Sequence, residues 1–286
     1  MTSLEPREYV AKSKINLGLE ILRKRPDGYH DLNTLFYALS EPHDQLLVTS
    51  SNAFSLTSSD PSLNLGDSNL IVRAMRAFSE RTNTPVPEVH IHLEKNIPIG
   101  AGLGGGSSDA ATTLRICNDL SGGLLTLAEL FGLGAKLGAD VNFFLQDTQA
   151  TLASGIGDVL LLTHLKLSNP ILVVKPMGIS ISTKEAYADL QLESDRHPTD
   201  LVHPFRDSDH TRLRSVILND MERGAFVRHP ELQVLKQQLY DLGAYFALMS
   251  GSGSSLFGIF ANEDLAKRAQ VVLRSGGNQV FLNLSK

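Results

Sequence analysis

Hydrophobic and polar positions follow two periods along this chain, and they change places several times. Residues 9–11 and 15–22 alternate as strand, with Lys12-Ser13-Lys14 interrupting them. Pro26-Asp27-Gly28 is a turn, because Pro presets φ and Gly accepts the positive φ that follows. Residues 32–39 and 45–50 predict further strands, and 54–57 a short one inside the polar stretch 51–67. The spacing then lengthens to the helical period. Over 69–82, Leu70, Ile71, Ala74, Ala77 and Phe78 share one face. A strand at 89–93 leads into a glycine-rich loop and a helix over 109–116. Another helix over 126–137 stops at Gly138, and strands follow at 150–153 and 159–162.

The pattern changes after about residue 165. A strand at 171–175 is followed by helical segments at 183–190, 211–219 and 232–242. Then come strands at 244–249 and 255–260, a helix at 262–275 and a strand at 279–284. Strand, helices, strand, strand, helix, strand is the order of a split βαβ, ferredoxin-like unit. The expectation is an α+β chain of two domains, 1–165 and 166–286.

Composition narrows the function class. A chain of 286 residues with 42% apolar residues can build a substantial core. Lys plus Arg is 26 against 31 for Asp plus Glu, a net charge of −5, and no stretch is strongly basic. That argues against nucleic acid or an anionic membrane as partner. Cys117 is the single cysteine; it excludes an internal disulfide, fits a reducing compartment and reads as core. No apolar run approaches the roughly eighteen residues of a membrane span, and residues 1–8 have no leader-like pattern. The expectation is a soluble cytoplasmic protein acting on small molecules, with its oligomeric state open.

The loop Pro98-Ile99-Gly100-Ala101-Gly102-Leu103-Gly104-Gly105-Gly106-Ser107-Ser108 carries the strongest chemical signal. Glycine backbone can close around a ligand, and a helix N-terminus presents unpaired N–H groups and a positive dipole end to an anion. A dinucleotide fingerprint is matched by Gly100, Gly102 and Gly105, but the acid it wants would be Asp119, inside a helical stretch. A Walker A loop is excluded, since no Lys follows the glycines. What remains is a phosphate cradle of backbone with Ser107 and Ser108, its positive charge supplied from elsewhere, or a flexible hinge.

Four further features bear on chemistry. Lys14 and Asn16 share one face of their strand, either a functional face or a solvent-facing edge. Asp140 follows a helix end, which disfavours negative charge; it is either a satisfied buried acid or a functional one wanting a cation. The stretch 250–254, Ser-Gly-Ser-Gly-Ser, is either a plain hairpin turn or a second set of backbone donors. Tyr29, His30, Phe36 and the distant Tyr187 are core or rim residues, or a surface on which a flat base stacks.

Taken together, Lys14-Ile15-Asn16-Leu17, the loop from Pro98 through Asp109-Ala110-Ala111, and the 250–254 turn resemble the three motifs of the GHMP kinase family, in that family's order. The resemblance implies a two-domain fold, N-terminal ribosomal protein S5 domain 2-like and C-terminal ferredoxin-like. It implies an ATP- and Mg²⁺-dependent small-molecule kinase. Asp140 then matches the catalytic base and Lys14 the lysine beside it. Pro98, Ile99, Gly100, Ala101, Gly102, Leu103, Gly104, Gly105, Gly106, Ser107 and Ser108 match the ATP phosphate loop. Four segments are similar to one member of the family, whose acceptor is the C2 hydroxyl of a cytidine-diphosphate-linked alcohol of non-mevalonate isoprenoid synthesis. They are Asp27-Gly28-Tyr29-His30, Leu137-Gly138-Ala139-Asp140-Val141, Ile181-Ser182-Thr183-Lys184-Glu185-Ala186-Tyr187 and Asn219-Asp220-Met221-Glu222. On that likeness Asn16, Tyr29, His30, Phe36 and Tyr187 line the cytidyl end. Two positions depart from the pattern: Ser13 stands where Ala is usual and Asn142 where Pro is usual. The competing expectations are a GHMP kinase for mevalonate, homoserine or a sugar, and a catalytically silent ATP-binding homologue.

Overall fold

A computed structural model describes residues 5–146, 148–190 and 196–284; part of the 1–8 stretch lies outside them. The chain forms two compact units, each assembled from separated pieces of sequence.

The first unit comprises Met1–Ser13, Pro42–Ile97 and Gly104–Asp147. It holds the beginning of strand β1 (Arg7–Lys24) and the end of β2 (His30–Ser50). Gln45 to Ser50 of β2 pair antiparallel with β4 (Val89–Glu94), and β4 pairs parallel with β3 (Ser55–Ser58). Helix α1 (Leu70–Thr82) starts at Asn69, whose side chain accepts from the Ile71 N–H at 2.9 Å. Its buried residues are Ile71, Val72, Ala74, Met75 and Phe78. The predicted face carried Leu70 and Ala77 in place of Val72 and Met75. The helix packs on both α2 (Gly105–Leu120) and α3 (Leu127–Leu137), so its buried arc is turned toward two neighbours.

Helix α2 begins at Gly105, four residues before the predicted start. Glycine is a poor helix former, but packing decides here: a Cβ on Gly105 would lie 2.9 Å from both Ile97 Cγ2 and Lys95 Nζ. Helix α3 has a capping box between Thr126 and Glu129 and ends at Gly138. The short α4 (Val141–Leu145) follows at once.

The second unit comprises Lys14–Glu41, Pro98–Leu103 and Thr148–Lys286. Here Thr34 to Tyr37 of β2 pair with β5 (Ala150–Ser154), and β5 pairs with β6 (Val159–Leu162). A separate four-stranded antiparallel sheet contains β7 (Ile171–Lys175), β8 (Ala244–Met249), β9 (Leu256–Phe260) and β10 (Gln279–Asn283) in the order β10-β7-β9-β8. Helices α5 (Thr183–Ala188), α6 (His203–Arg206), α7 (His210–Val216), α8 (Glu222–Arg228) and α9 (Pro230–Asp241) lie between β7 and β8 in sequence; α10 (Glu263–Ser275) lies between β9 and β10. The long helices α9 and α10 bury Leu232, Leu235, Leu239, Ala266, Ala269 and Leu273 in a core shared with Leu172 and Val174 of β7. Counted within this sheet, the strand order is 4-1-3-2, as the ferredoxin-like expectation requires. α6 and α8 were not predicted; they have four and seven residues, too few to display a helical period.

Two predicted interruptions are absent. β1 runs unbroken through Lys12-Ser13-Lys14, and β2 runs through 40–44. Ser13 and Lys14 are buried in the strand rather than marking a break. Among the described residues, no helix is long and apolar enough to cross a membrane.

Candidate active site

In the second unit, β1 presents Lys14 and Asn16 inward. Lys14 is only 4% exposed, so it does not lie on a solvent-facing edge. Its Nζ donates to Asn16 Oδ1 at 2.7 Å and lies 5.1 Å from the Phe36 ring centroid. Asn16 Nδ2 donates to Thr34 Oγ1 at 2.7 Å, and that hydroxyl donates to the Gly18 carbonyl at 2.6 Å. Lys14, Asn16 and Phe36 therefore form one braced group. In the same unit the rings of His30 and Tyr187, far apart in sequence, stack with centroids 4.9 Å apart and planes inclined by 22°. Burial, followed by the nearby Lys24 charge, holds the His30 imidazole below the usual histidine range. Tyr29 is exposed, on a turn whose Asp27 carboxylate accepts from the Tyr29 N–H at 3.0 Å.

The glycine loop enters from this unit. Lys14 N–H donates to the Leu103 carbonyl at 3.0 Å, joining the loop to β1. Ser250 Oγ donates to the Gly102 carbonyl at 2.9 Å, and the Ser255 N–H to the Ala101 carbonyl at 3.2 Å. Gly102 has φ +74°, and a Cβ there would collide with the Ser250 carbonyl oxygen. The 250–254 turn is thus more than a hairpin connection, because its backbone lies directly on the glycine loop. Asn16 N–H also donates to Ser250 Oγ, at 3.3 Å.

The first unit takes over at Gly104, the N-cap of α2, with a left-handed φ of 74° and no side chain to occupy the helix end. Ser107 and Ser108 lie in the first turn of α2. A Cβ on Gly138 would sit 3.8 Å from Ser107 Oγ, so the serine end of the loop borders the segment that carries Asp140. Asp140 is half-buried and is the N-cap residue of α4. α3 ends at Leu137, and the Asp140 carboxylate also stands at the start of a helix, which tolerates negative charge.

Lys95, Asp44 and Asp109 meet beside Gly105, at the start of α2. Lys95 Nζ donates to Asp44 and, at 2.9 Å, to Asp109 Oδ2. Asp44 Oδ1 accepts from the N–H groups of Asn96 and Ile97 at 2.7 and 2.8 Å. Burial, with Asp44 adding to it against the opposing pull of Lys95, pushes the Asp109 carboxyl up to about 7. Asp44 is 51 positions from Lys95, so no spacing rule could have paired them. The same unit contains a cavity of about 440 Å³ lined by Phe54, Leu56, Leu65, Val72, Met75 and Val86, among others. Leu70 of α1, next to that cavity in sequence, lies 3.4 Å from where a Cβ on Gly106 would sit.

Comparison with known proteins agrees with this arrangement of motifs. Residues 69–160 match the GHMP kinases N terminal domain, and residues 201–279 the GHMP kinases C terminal domain. A 4-diphosphocytidyl-2-C-methyl-D-erythritol kinase of Cytophaga hutchinsonii is 40% identical, with 87% of this chain and 90% of that protein covered. One of Chlorobium phaeobacteroides is 39% identical over 94% of this chain and 92% of its own length. A crystal structure of a 4-(cytidine 5'-diphospho)-2C-methyl-D-erythritol kinase superposes with a TM-score of 0.81 at 35% identity, covering 97% of this chain and 98% of that one. Two domain matches in the family's order, and relatives this similar over nearly their whole length, establish that the chain belongs to the GHMP kinase family.

Proposed function

We propose that the chain transfers the γ-phosphoryl of ATP to the C2 hydroxyl of 4-diphosphocytidyl-2-C-methyl-D-erythritol, a step of non-mevalonate isoprenoid synthesis in the cytoplasm. One observation carries the acceptor assignment: the unit that braces Lys14, Asn16 and Phe36 also holds the stacked His30–Tyr187 pair. A kinase for mevalonate, homoserine or a simple sugar has no base to place on such a platform. The names of the similar proteins support the same acceptor. The division into a nucleotide-binding domain, 1–165, and a C-terminal domain, 166–286, is proposed with it, supported by domain matches that end and begin on either side of residue 165.

Phosphoryl transfer asks for positioning and charge stabilisation more than covalent chemistry. In the proposed roles, the backbone from Pro98 to Ser108 and the N-terminus of α2 hold the triphosphate, and the cavity beside α1 receives the adenine. Gly104, having no side chain, leaves the first-turn N–H groups of α2 to an anion. Mg²⁺ bound with the nucleotide would supply positive charge against the phosphate oxygens; among the described residues no group of three or more His, Cys, Asp or Glu side chains is placed to hold it, so phosphate oxygens would be its main ligands. Asp140 takes the proton from the acceptor hydroxyl, and Lys14 offsets charge developing on the transferred group. Asn16, Tyr29, His30, Phe36 and Tyr187 hold the cytidyl end, so that remote binding energy orients a hindered tertiary alcohol.

A coupled ADP-release assay with Mg²⁺-ATP tests the proposal. Turnover is expected with 4-diphosphocytidyl-2-C-methyl-D-erythritol and not with mevalonate, homoserine or galactose. Turnover of a cytidine-free alcohol alone would overturn the acceptor assignment. ATP binding without ADP release from any acceptor would identify a silent homologue.

A further inference from the structure

Residues 218–222 bond to β1 on one side and to the 250–254 turn on the other. Toward β1, the Leu19 N–H donates to the Leu218 carbonyl and the Asp220 N–H to the Leu19 carbonyl, both at 2.9 Å. Asp220 Oδ2 accepts from the Ile21 N–H at 2.6 Å. Toward the turn, Asn219 Nδ2 donates to the carbonyls of Met249 and Gly251, both at 2.8 Å. Its Oδ1 accepts from the Met221 N–H at 2.9 Å, which fixes the amide's orientation. Asn219 is 3% exposed. Glu222 Oε1 accepts from the Met249 N–H at 2.8 Å, so Met249 is gripped at both its N–H and its carbonyl. The gripped turn is the one that lies on Ala101 and Gly102 through Ser250 and Ser255.

We propose that Asn219 is a positioning residue for the nucleotide's phosphate loop, acting through the 250–254 turn rather than by touching a ligand. A single NH₂ group serves two carbonyls that have diverging chain directions, one ending β8 and one inside the turn. No apolar or acidic side chain can donate to both. Without the amide, two buried carbonyls lose their partner and the turn must shift to find others. The Ser250 carbonyl fills the space beside Gly102 where a side chain would be, so a shifted turn carries the loop with it. Asn16 touches the turn only through its N–H, at 3.3 Å from Ser250 Oγ, while its side chain is held separately by Lys14 and Thr34, and the His30–Tyr187 pair has a stacking contact of its own. The defect therefore falls on the nucleotide.

The inference rests on the proposed ATP role of Pro98 to Ser108, and steady-state kinetics in both substrates test it. Asn219→Ala is expected to raise KM for ATP about tenfold or more while KM for the cytidyl acceptor stays within about twofold. Adding Ser250→Ala to it should cost less than Ser250→Ala costs alone, since both cut the same chain of contacts. Leu239→Ala, in the core under α9, is the control for general loosening. Equal shifts in both KM values, a pattern matching the control, or full additivity would overturn the inference. If Asn219→Ala does not accumulate folded, Asn219→Ser keeps one donor and is judged by the same split, at about threefold. If the wild-type chain turns over no acceptor, the proposed function fails; Asn219 is then decided by calorimetric ATP affinity, expected to fall about tenfold and left unchanged if the inference is wrong.

Discussion

Tyr187 and Ser13 mark two ways in which a single residue is informative here. Tyr187 lies in a helix of six residues, and nothing local ties it to His30. Their stacking is a tertiary fact, and its proposed use is to hold a cytosine. Tyr187→Ala is expected to weaken acceptor binding by about tenfold and leave ATP binding within about twofold, read by titration of each ligand. A defect confined to ATP would move the cytidyl site elsewhere. Ser13 and Asn142, by contrast, were visible in the sequence as the two departures from the family pattern. Both prove to carry a buried side-chain oxygen with no hydrogen-bond partner, Ser13 Oγ and Asn142 Oδ1. Alanine at 13 removes an orphaned hydroxyl at little cost in packing. Ser13→Ala is expected to stabilise the protein by about 1 kcal/mol in urea unfolding. A loss of stability would show that the hydroxyl is satisfied in solution.

At the scale of elements, the strand–loop–helix unit around the glycine loop was legible, because strand alternation and a run of glycines are local signals. Its bracing was not. Lys95 just after β4, Asp44 in β2 and Asp109 in α2 come from three elements, and only the folded chain assembles them. The group has a pH signature. Asp109 titrates near 3.8 in an unfolded chain and at about 7 in the fold, facing the Lys95 ammonium and the Asp44 carboxylate. Between those values the folded state retains a proton that the unfolded state has lost, so this residue's contribution to stability falls as pH rises across the window. Asp109→Asn never ionises. Its melting temperature is expected to fall less than that of wild type between pH 5 and pH 8, measured by calorimetry. Equal slopes would show that Asp109 keeps an ordinary carboxylate pKa. The early start of α2 has a similar lesson: propensity argued against helix at Gly105 and Gly106, and close packing against Ile97 overrode it.

At the scale of the whole molecule, β1, β2 and the glycine loop each pass from one compact unit to the other, at Ser13–Lys14, Glu41–Pro42 and Leu103–Gly104. Lys14 belongs to one unit and Asp140 to the other. In the proposed chemistry they serve the same transfer, and kinetics can test that directly. Asp140→Asn is expected to lower kcat by about a hundredfold or more with both ligands still bound, and Lys14→Met to lower it substantially. The double variant should be less impaired than the product of the two effects. A near-wild-type kcat in Asp140→Asn would remove that carboxylate from the mechanism. The sequence by itself determined the strands and long helices, the glycine loop, the second turn and the family, because each depends on residues near one another in the chain. Only the tertiary structure decided that Lys14 is buried and braced by Asn16 and Phe36, that His30 meets Tyr187, and that Asn219 holds the second turn. Strand alternation had already put Lys14 and Asn16 on one face; the other contacts join residues from 22 to 157 positions apart, and no periodicity records them. They exist because burying a charge or an amide demands a partner from wherever the fold can supply one.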